Sequence, residues 1–122
     1  MNKIFFAIVI ISIFSCTKGG TGGEAKINFK VFHHEQKIPN AVVYIKYDTK
    51  DFPGEDIGNY DASYTSSAQA TGSIENLKKG NYYIYGVGYD SAIAQIVKGG
   101  VSFKINKKDA ALDITVPVTE GD

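Results

Sequence analysis

Thr71 to Asp90, T-G-S-I-E-N-L-K-K-G-N-Y-Y-I-Y-G-V-G-Y-D, is the stretch whose reading decides the fold. Gly72 and Gly80 bracket the apolar anchors Ile74 and Leu77. Lys78-Lys79-Gly80-Asn81 is turn chemistry, because Gly and Asn tolerate a positive φ. A long strand follows. Tyr82, Ile84, Gly86 and Gly88 share one face and Tyr83, Tyr85, Val87 and Tyr89 the other, so neither face is polar enough to lie fully in water. The stretch therefore predicts a hairpin of two strands, the second of them central in its sheet.

Working outward, Ile27, Phe29 and Val31 alternate with Asn28, Lys30 and Phe32 in the period of a half-buried strand. His33 to Lys37 makes a turn. A second strand runs from about Asn40 to Tyr47, with Ala41, Val43, Ile45 and Tyr47 on one face and Val42, Tyr44 and Lys46 on the other. Asp48 to Asp61 is polar and contains Gly and Pro, and it predicts the longest loop. Tyr60 to Ser67 alternates weakly, as an edge strand does. Ile93–Val97, Val101–Ile105 and Leu112–Val118 supply the remaining strands, and Pro117 suits a strand end. Ser91 to Lys98 is too short and uncapped for a helix. About seven short strands in about 100 residues predict an all-β protein, an antiparallel Greek-key β-sandwich.

Two of these segments carry a resemblance. Gly72-x-Ile74-x-x-Leu77-x-x-Gly80-x-Tyr82, running on to Gly88-Tyr89, resembles the turn-and-strand signature of prealbumin-like (transthyretin-like) sandwiches, shared by carboxypeptidase regulatory-like and Cna-B-type domains. Ile38-Pro39-Asn40-Ala41-Val42-Val43-Tyr44-Ile45 is similar to the second strand of those domains. The resemblance implies fold and almost nothing about activity, since such sandwiches host many functions. Hydroxyisourate hydrolases of this fold use His and Arg residues and a C-terminal Tyr-Arg-Gly-Ser. This chain has no Arg and ends Val118-Thr119-Glu120-Gly121-Asp122, which excludes that activity.

The N-terminus predicts a location. Met1-Asn2-Lys3 is a short cationic start, Ile4 to Phe14 is almost purely apolar, and Ser15-Cys16 follows, the layout of an export signal. An apolar run of 11 residues is too short to span a bilayer. Ile13-Phe14-Ser15-Cys16 resembles a lipobox, which implies cleavage before Cys16 and acyl chains on its sulfur. Cys16 is the only cysteine, so it cannot form an internal disulfide, and a free exposed thiol is a liability that lipidation removes. Two or three acyl chains hold a small domain on a membrane where one does not. The residue after the cysteine is Thr17, not Asp, which by resemblance to lipoprotein sorting rules implies an outer membrane. The expected organisation is a helical signal peptide at 1–15, the lipidated Cys16 with a Gly-rich tether at 16–23, and the sandwich at 24–122. T-K-G-G-T-G-G, residues 17–23, matches neither phosphate-binding Gly pattern and predicts a flexible tether.

Composition narrows the partners. The chain has 43% hydrophobic and 21% charged residues, as an ordinary domain does. Its 13 basic residues are all Lys, balanced by 13 acids. With no Arg and no basic stripe, nucleic acid is excluded as a partner. The acids Asp48, Asp51, Glu55, Asp56 and Asp61 offer hard oxygen ligands to Ca²⁺, but their spacing matches no known loop and solvated turn residues account for them. His33-His34-Glu35 suggests Zn²⁺, yet adjacent residues of an extended chain point to opposite faces, and these are the only two His. No metal, cofactor or catalytic residue is expected. Some Cna-B-type relatives join a first-strand Lys to a last-strand Asn or Asp. Lys26, Lys30 and Asp113 are the candidates by position, with Glu75 as the acid, but both lysines fall out of phase with the apolar face.

Eight Tyr and no Trp remain. Tyr44, Tyr83, Tyr85 and Tyr89 are the candidate contact residues, since Tyr suits interfaces and also simply suits strands. The sequence thus predicts a lipid-anchored, non-catalytic envelope module that contacts the membrane through Cys16 and a protein partner through its sandwich, or alternatively a glycan through exposed Tyr.

Overall fold

The computed structural model describes residues 18–120, so the expected signal peptide and Cys16 lie outside the described residues. The chain is all-β, with eight strands in two four-stranded sheets that pack as a sandwich. They are β1 (Thr21–His33), β2 (Gln36–Lys37), β3 (Val42–Tyr47), β4 (Ala62–Thr65), β5 (Thr71–Leu77), β6 (Gly80–Asp90), β7 (Gln95–Ile105) and β8 (Ala111–Pro117). One sheet holds β1 with β2, β5 and β8 around it, and the other runs β4-β3-β6-β7. No helix among the described residues is long and apolar enough to cross a membrane.

The alternations produce the core. Ile27, Phe29 and Val31 of β1, Ile74 and Leu77 of β5 and Val116 of β8 meet Val43 and Ile45 of β3, Tyr82 and Ile84 of β6, and Val97, Phe103 and Ile105 of β7. The Tyr82 and Phe103 rings stack at 5.1 Å. As expected, β6 is central, β4 is an edge, and Pro117 ends β8.

The structure corrects the hairpin. β5 pairs with β1 and β6 with β3 and β7, so Lys78 and Lys79 cross between the sheets instead of joining two neighbours. Ile74 and Leu77 differ by three, which in a regular strand puts them on opposite faces. Both are nevertheless buried, because Asn76 takes φ 62° in a bulge where Ala25 opposes Leu77 and Ile27 opposes Ile74. The partner of β6 is β7, through a turn at residues 91–94 that takes in Ile93, and Gln95–Ile105 is one continuous strand where the sequence predicts two. The one departure from the expected antiparallel pairing among the described strands is β8, which runs parallel to β1 from Lys26↔Ala111 to Phe32↔Pro117.

β1 starts at Thr21, inside the stretch whose composition predicts a tether. The buried Tyr82 hydroxyl is the reason the chain is held there. It accepts from the Gly20 N–H at 2.9 Å and donates to the Lys78 carbonyl at 2.5 Å, while the Lys78 N–H bonds the Gly20 carbonyl. A buried phenol must find partners, and the incoming chain provides them.

Candidate functional site

The outward face of the β4-β3-β6-β7 sheet carries the candidate tyrosines. Tyr44 and Tyr85 are direct cross-strand partners, and Tyr83 precedes Tyr85 by two on the same face. The 48–61 loop folds over them. Tyr60 stacks on Tyr85 at 5.7 Å and 14° and approaches Tyr44 at 5.8 Å, while Phe52 contacts Tyr83 at 5.7 Å and Tyr85 at 5.4 Å. The Tyr60 hydroxyl donates to the Gly54 carbonyl, closing the loop on itself. Burial raises the pKa of Tyr60, Tyr83 and Tyr85.

The four tyrosines therefore differ in role. Tyr85 is only 3% exposed and supports the rings above it, so it cannot serve as an open contact. Tyr44 and Tyr83 are half-buried, and Tyr89 alone is freely exposed, at 52%. Tyr89 lies opposite Ile96, 59% exposed, with Ile93 in the turn beside them, so the β6-β7 tip is apolar and open to solvent.

Beside the covered tyrosines lies an open cleft of about 410 Å³ lined by Phe52, Glu55, Tyr83, Tyr85, Lys98 and the backbone of Gly99 and Gly100. Lys98 Nζ donates to Glu55 Oε1 at 2.7 Å across its mouth. An exposed pair of this kind adds little stability but fixes two polar heads beside an aromatic wall. Phe52, Tyr60 and Lys98 were not identifiable as site residues from the sequence, and Glu55 was weighed there only as a Ca²⁺ ligand. A lone Phe between Asp51 and Pro53 in a polar loop is the one signal that could have found Phe52.

The acids of that loop serve separate partners. Asp48 accepts from the Gly19 N–H, Asp56 from the Gly58 N–H at 2.9 Å, and Asp61 from the Tyr47 N–H at 2.8 Å. Lys26, Lys30 and Asp113 are all exposed, and the Asp113 carboxylate lies 3.4 Å from the Asn28 amide.

The two histidines overturn the argument that set them on opposite faces. His34 has φ 57°, so the chain reverses there and the two rings lie 4.5 Å apart. His33 itself is 5% exposed. Its Nδ1 is 2.7 Å from Asp90 Oδ2 and its Nε2 is 2.6 Å from Glu120 Oε1. The bond to Asp90, and after it the nearby Glu120 carboxylate, raises the His33 pKa against the opposing effect of burial, and the His33 bond lowers that of Asp90. Three strand ends meet here: β1 supplies His33, β6 supplies Asp90, and the segment after β8 brings Glu120, held by the Val118 N–H on the Phe32 carbonyl and by paired bonds between Thr119 and Lys98.

No family model matches the chain, and no curated protein matches it either.

Proposed function

We propose that this protein is a lipid-anchored, non-catalytic β-sandwich of the cell envelope, held on an outer membrane, that presents an apolar tip to a protein partner. The observation that carries the reading is the exposed Tyr89-Ile96 pair with Ile93 at one end of β6, since clustered exposed apolar side chains mark contact surfaces. The other end of β6 is where the chain enters, at Gly19 and Gly20 beside Gly80 and Tyr82. From Gly80 to Tyr89 a strand spans roughly 30 Å. An anchor at Cys16 would thus hold one end at the membrane and leave the tip pointing away. Kinship with prealbumin-like domains is part of the proposal, supported by the Gly72–Tyr89 and Ile38–Ile45 motifs.

A photo-crosslinking residue at Tyr89 tests this in cells, with Lys108 at the opposite end as control. One discrete protein adduct at 89 and none at 108 is expected. Equal labelling at both, or none, would refute the tip as the contact.

The cleft favours a second reading, glycan binding. Phe52 and Tyr83 offer ring faces, and Glu55 and Lys98 offer hydroxyl partners. Specific glycan-array retention that disappears in Phe52→Ala would favour it over the tip.

A further inference from the structure

We propose that His33, His34 and Glu120 form a binding site for a borderline divalent transition metal ion, with Asp90 orienting His33. Among the described residues, these three are the only set of His, Cys, Asp or Glu donors brought close enough to share an ion, their ligand atoms all lying within 4.8 Å of one another. The donors have unequal exposure. His33 is buried, whereas His34 and Glu120 are exposed, so an ion has a route in from solvent.

The Nε2 of His33 is the independent observation. It is buried and makes no hydrogen bond, although Glu120 Oε1 stands 2.6 Å away. With Nδ1 directing its N–H at Asp90, a neutral His33 turns the lone pair of Nε2 toward a carboxylate. Two such groups at this distance need a positive charge between or beside them. A cation ligated by both supplies it, and a third donor, His34, already stacks against His33.

Asp90 has the position of an orienting carboxylate behind a metal-bound imidazole. It is buried, and it is itself locked by the tight turn that opens the β6-β7 tip: its Oδ1 accepts from the Ala92 N–H at 2.9 Å, and its carbonyl accepts from the Ile93 N–H at 3.2 Å. Two imidazoles and one carboxylate match Zn²⁺, Cu²⁺ or Ni²⁺ better than Ca²⁺ or Mg²⁺, and three protein donors leave a coordination position for water or an incoming group. At bond lengths of about 2.0–2.2 Å, the donors of a tetrahedral ion lie roughly 3.3–3.5 Å apart, so His34 and Glu120 need only small rotations of exposed side chains.

The test uses the full chain in detergent, without a polyhistidine tag and stripped with EDTA. Zn²⁺ is titrated by calorimetry and Co²⁺ by visible absorption. One saturable equivalent of Zn²⁺, unaffected by excess Ca²⁺, is expected. His34→Ala and Glu120→Gln, both on exposed side chains, should each weaken it at least about ten-fold, and Asp90→Asn by about 10–100-fold with the fold retained by circular dichroism. Absence of a saturable equivalent overturns the site in favour of a protonated His33 between two carboxylates. Affinity within two-fold of the parent in both His34→Ala and Glu120→Gln overturns it in favour of adventitious binding elsewhere.

Discussion

Replacing Gly80 by Val tests how the incoming chain is docked on the sandwich. Gly80 has φ +149°, a region essentially reserved for Gly, and forcing a β-branched residue there costs about 1–3 kcal/mol. The added Cβ would also meet the Gly19 N at 2.8 Å and the Gly19 Cα at 2.9 Å. Those are backbone atoms, and they cannot retreat freely, since Gly20 is held by the Tyr82 hydroxyl and by the Lys78 N–H. Releasing that segment forfeits hydrogen bonds at about 1 kcal/mol each. Together the two effects amount to about 2–5 kcal/mol, and in a domain of about 100 residues the thermal midpoint should fall by roughly ten degrees or more. Denaturant melts of a chain beginning at Lys18 and of one beginning at Thr21 separate the effects, because the shorter chain has no Gly19 to strike. Val should cost about 1–3 kcal/mol there, the backbone strain alone. An unchanged midpoint in the longer chain, or the full loss in the shorter, would refute the docking argument.

Four further outcomes follow from the same geometry. Tyr82→Phe keeps the ring stack with Phe103 but removes the hydroxyl, and should lose about 1–3 kcal/mol in denaturant melts while exposing Gly20 amide exchange. Gly88→Ala places a Cβ 2.5 Å from Ile38 Cγ2, so it should lose about 1–3 kcal/mol, and clearly less in an Ile38→Ala background if that contact is the cause. Cys16→Ala should abolish labelling by radioactive fatty acid, and continued labelling would remove the lipid anchor from the proposal. Intact mass of the folded domain should equal the sequence mass, and a deficit of about one water with a Lys26 or Lys30 crosslink to Asp113 would contradict their exposure.

What the sequence could announce was the facing of residues within one strand. Ile27, Phe29 and Val31, or Val43 and Ile45, declare their inward side by period alone, and the structure buries all of them. Which strands become neighbours is another matter. Lys78-Lys79-Gly80 has the same turn chemistry whether it closes a hairpin or carries the chain to the other sheet, and the bulge at Asn76 that lets Leu77 reach the core leaves no mark in the alternation. The tyrosine face was legible because 83 and 85 share parity. Its cover was not, because Phe52 and Tyr60 reach it from a loop whose path depends on Asp48, Asp56 and Asp61 capping backbone N–H groups. The His33 cluster was the least legible part, since Asp90 and Glu120 lie far from His33 in the chain and come together only at strand ends.

β6 explains why these features sit where they do. Its inward side begins with the large ring of Tyr82 and ends in two glycines, over which side chains pack closely: a Cβ at Gly86 would lie 3.1 Å from Val116 Cγ1 and one at Gly88 2.5 Å from Ile38 Cγ2. That packing brings the end of β1 and the segment after β8 against Asp90, and the histidine cluster is a consequence of it. At the other end the Tyr82 ring stacks on Phe103, and its hydroxyl captures the incoming backbone. One strand, tapering from Tyr to Gly, thus sets the entry of the chain at one end and the convergence of His33, Asp90 and Glu120 at the other, beside the exposed tip. A bulky residue at Gly88 should therefore act at a distance. Gly88→Val must push Ile38 and the β1–β2 turn outward, and the His33–Asp90 contact should lengthen with it. Nitrogen-15 chemical shifts of the His33 ring report that bond directly: they should move in Gly88→Val and stay unchanged in Ser63→Ala, on an exposed edge position. Shifts unmoved in a folded Gly88→Val would show that the cluster does not depend on the close packing over Gly88.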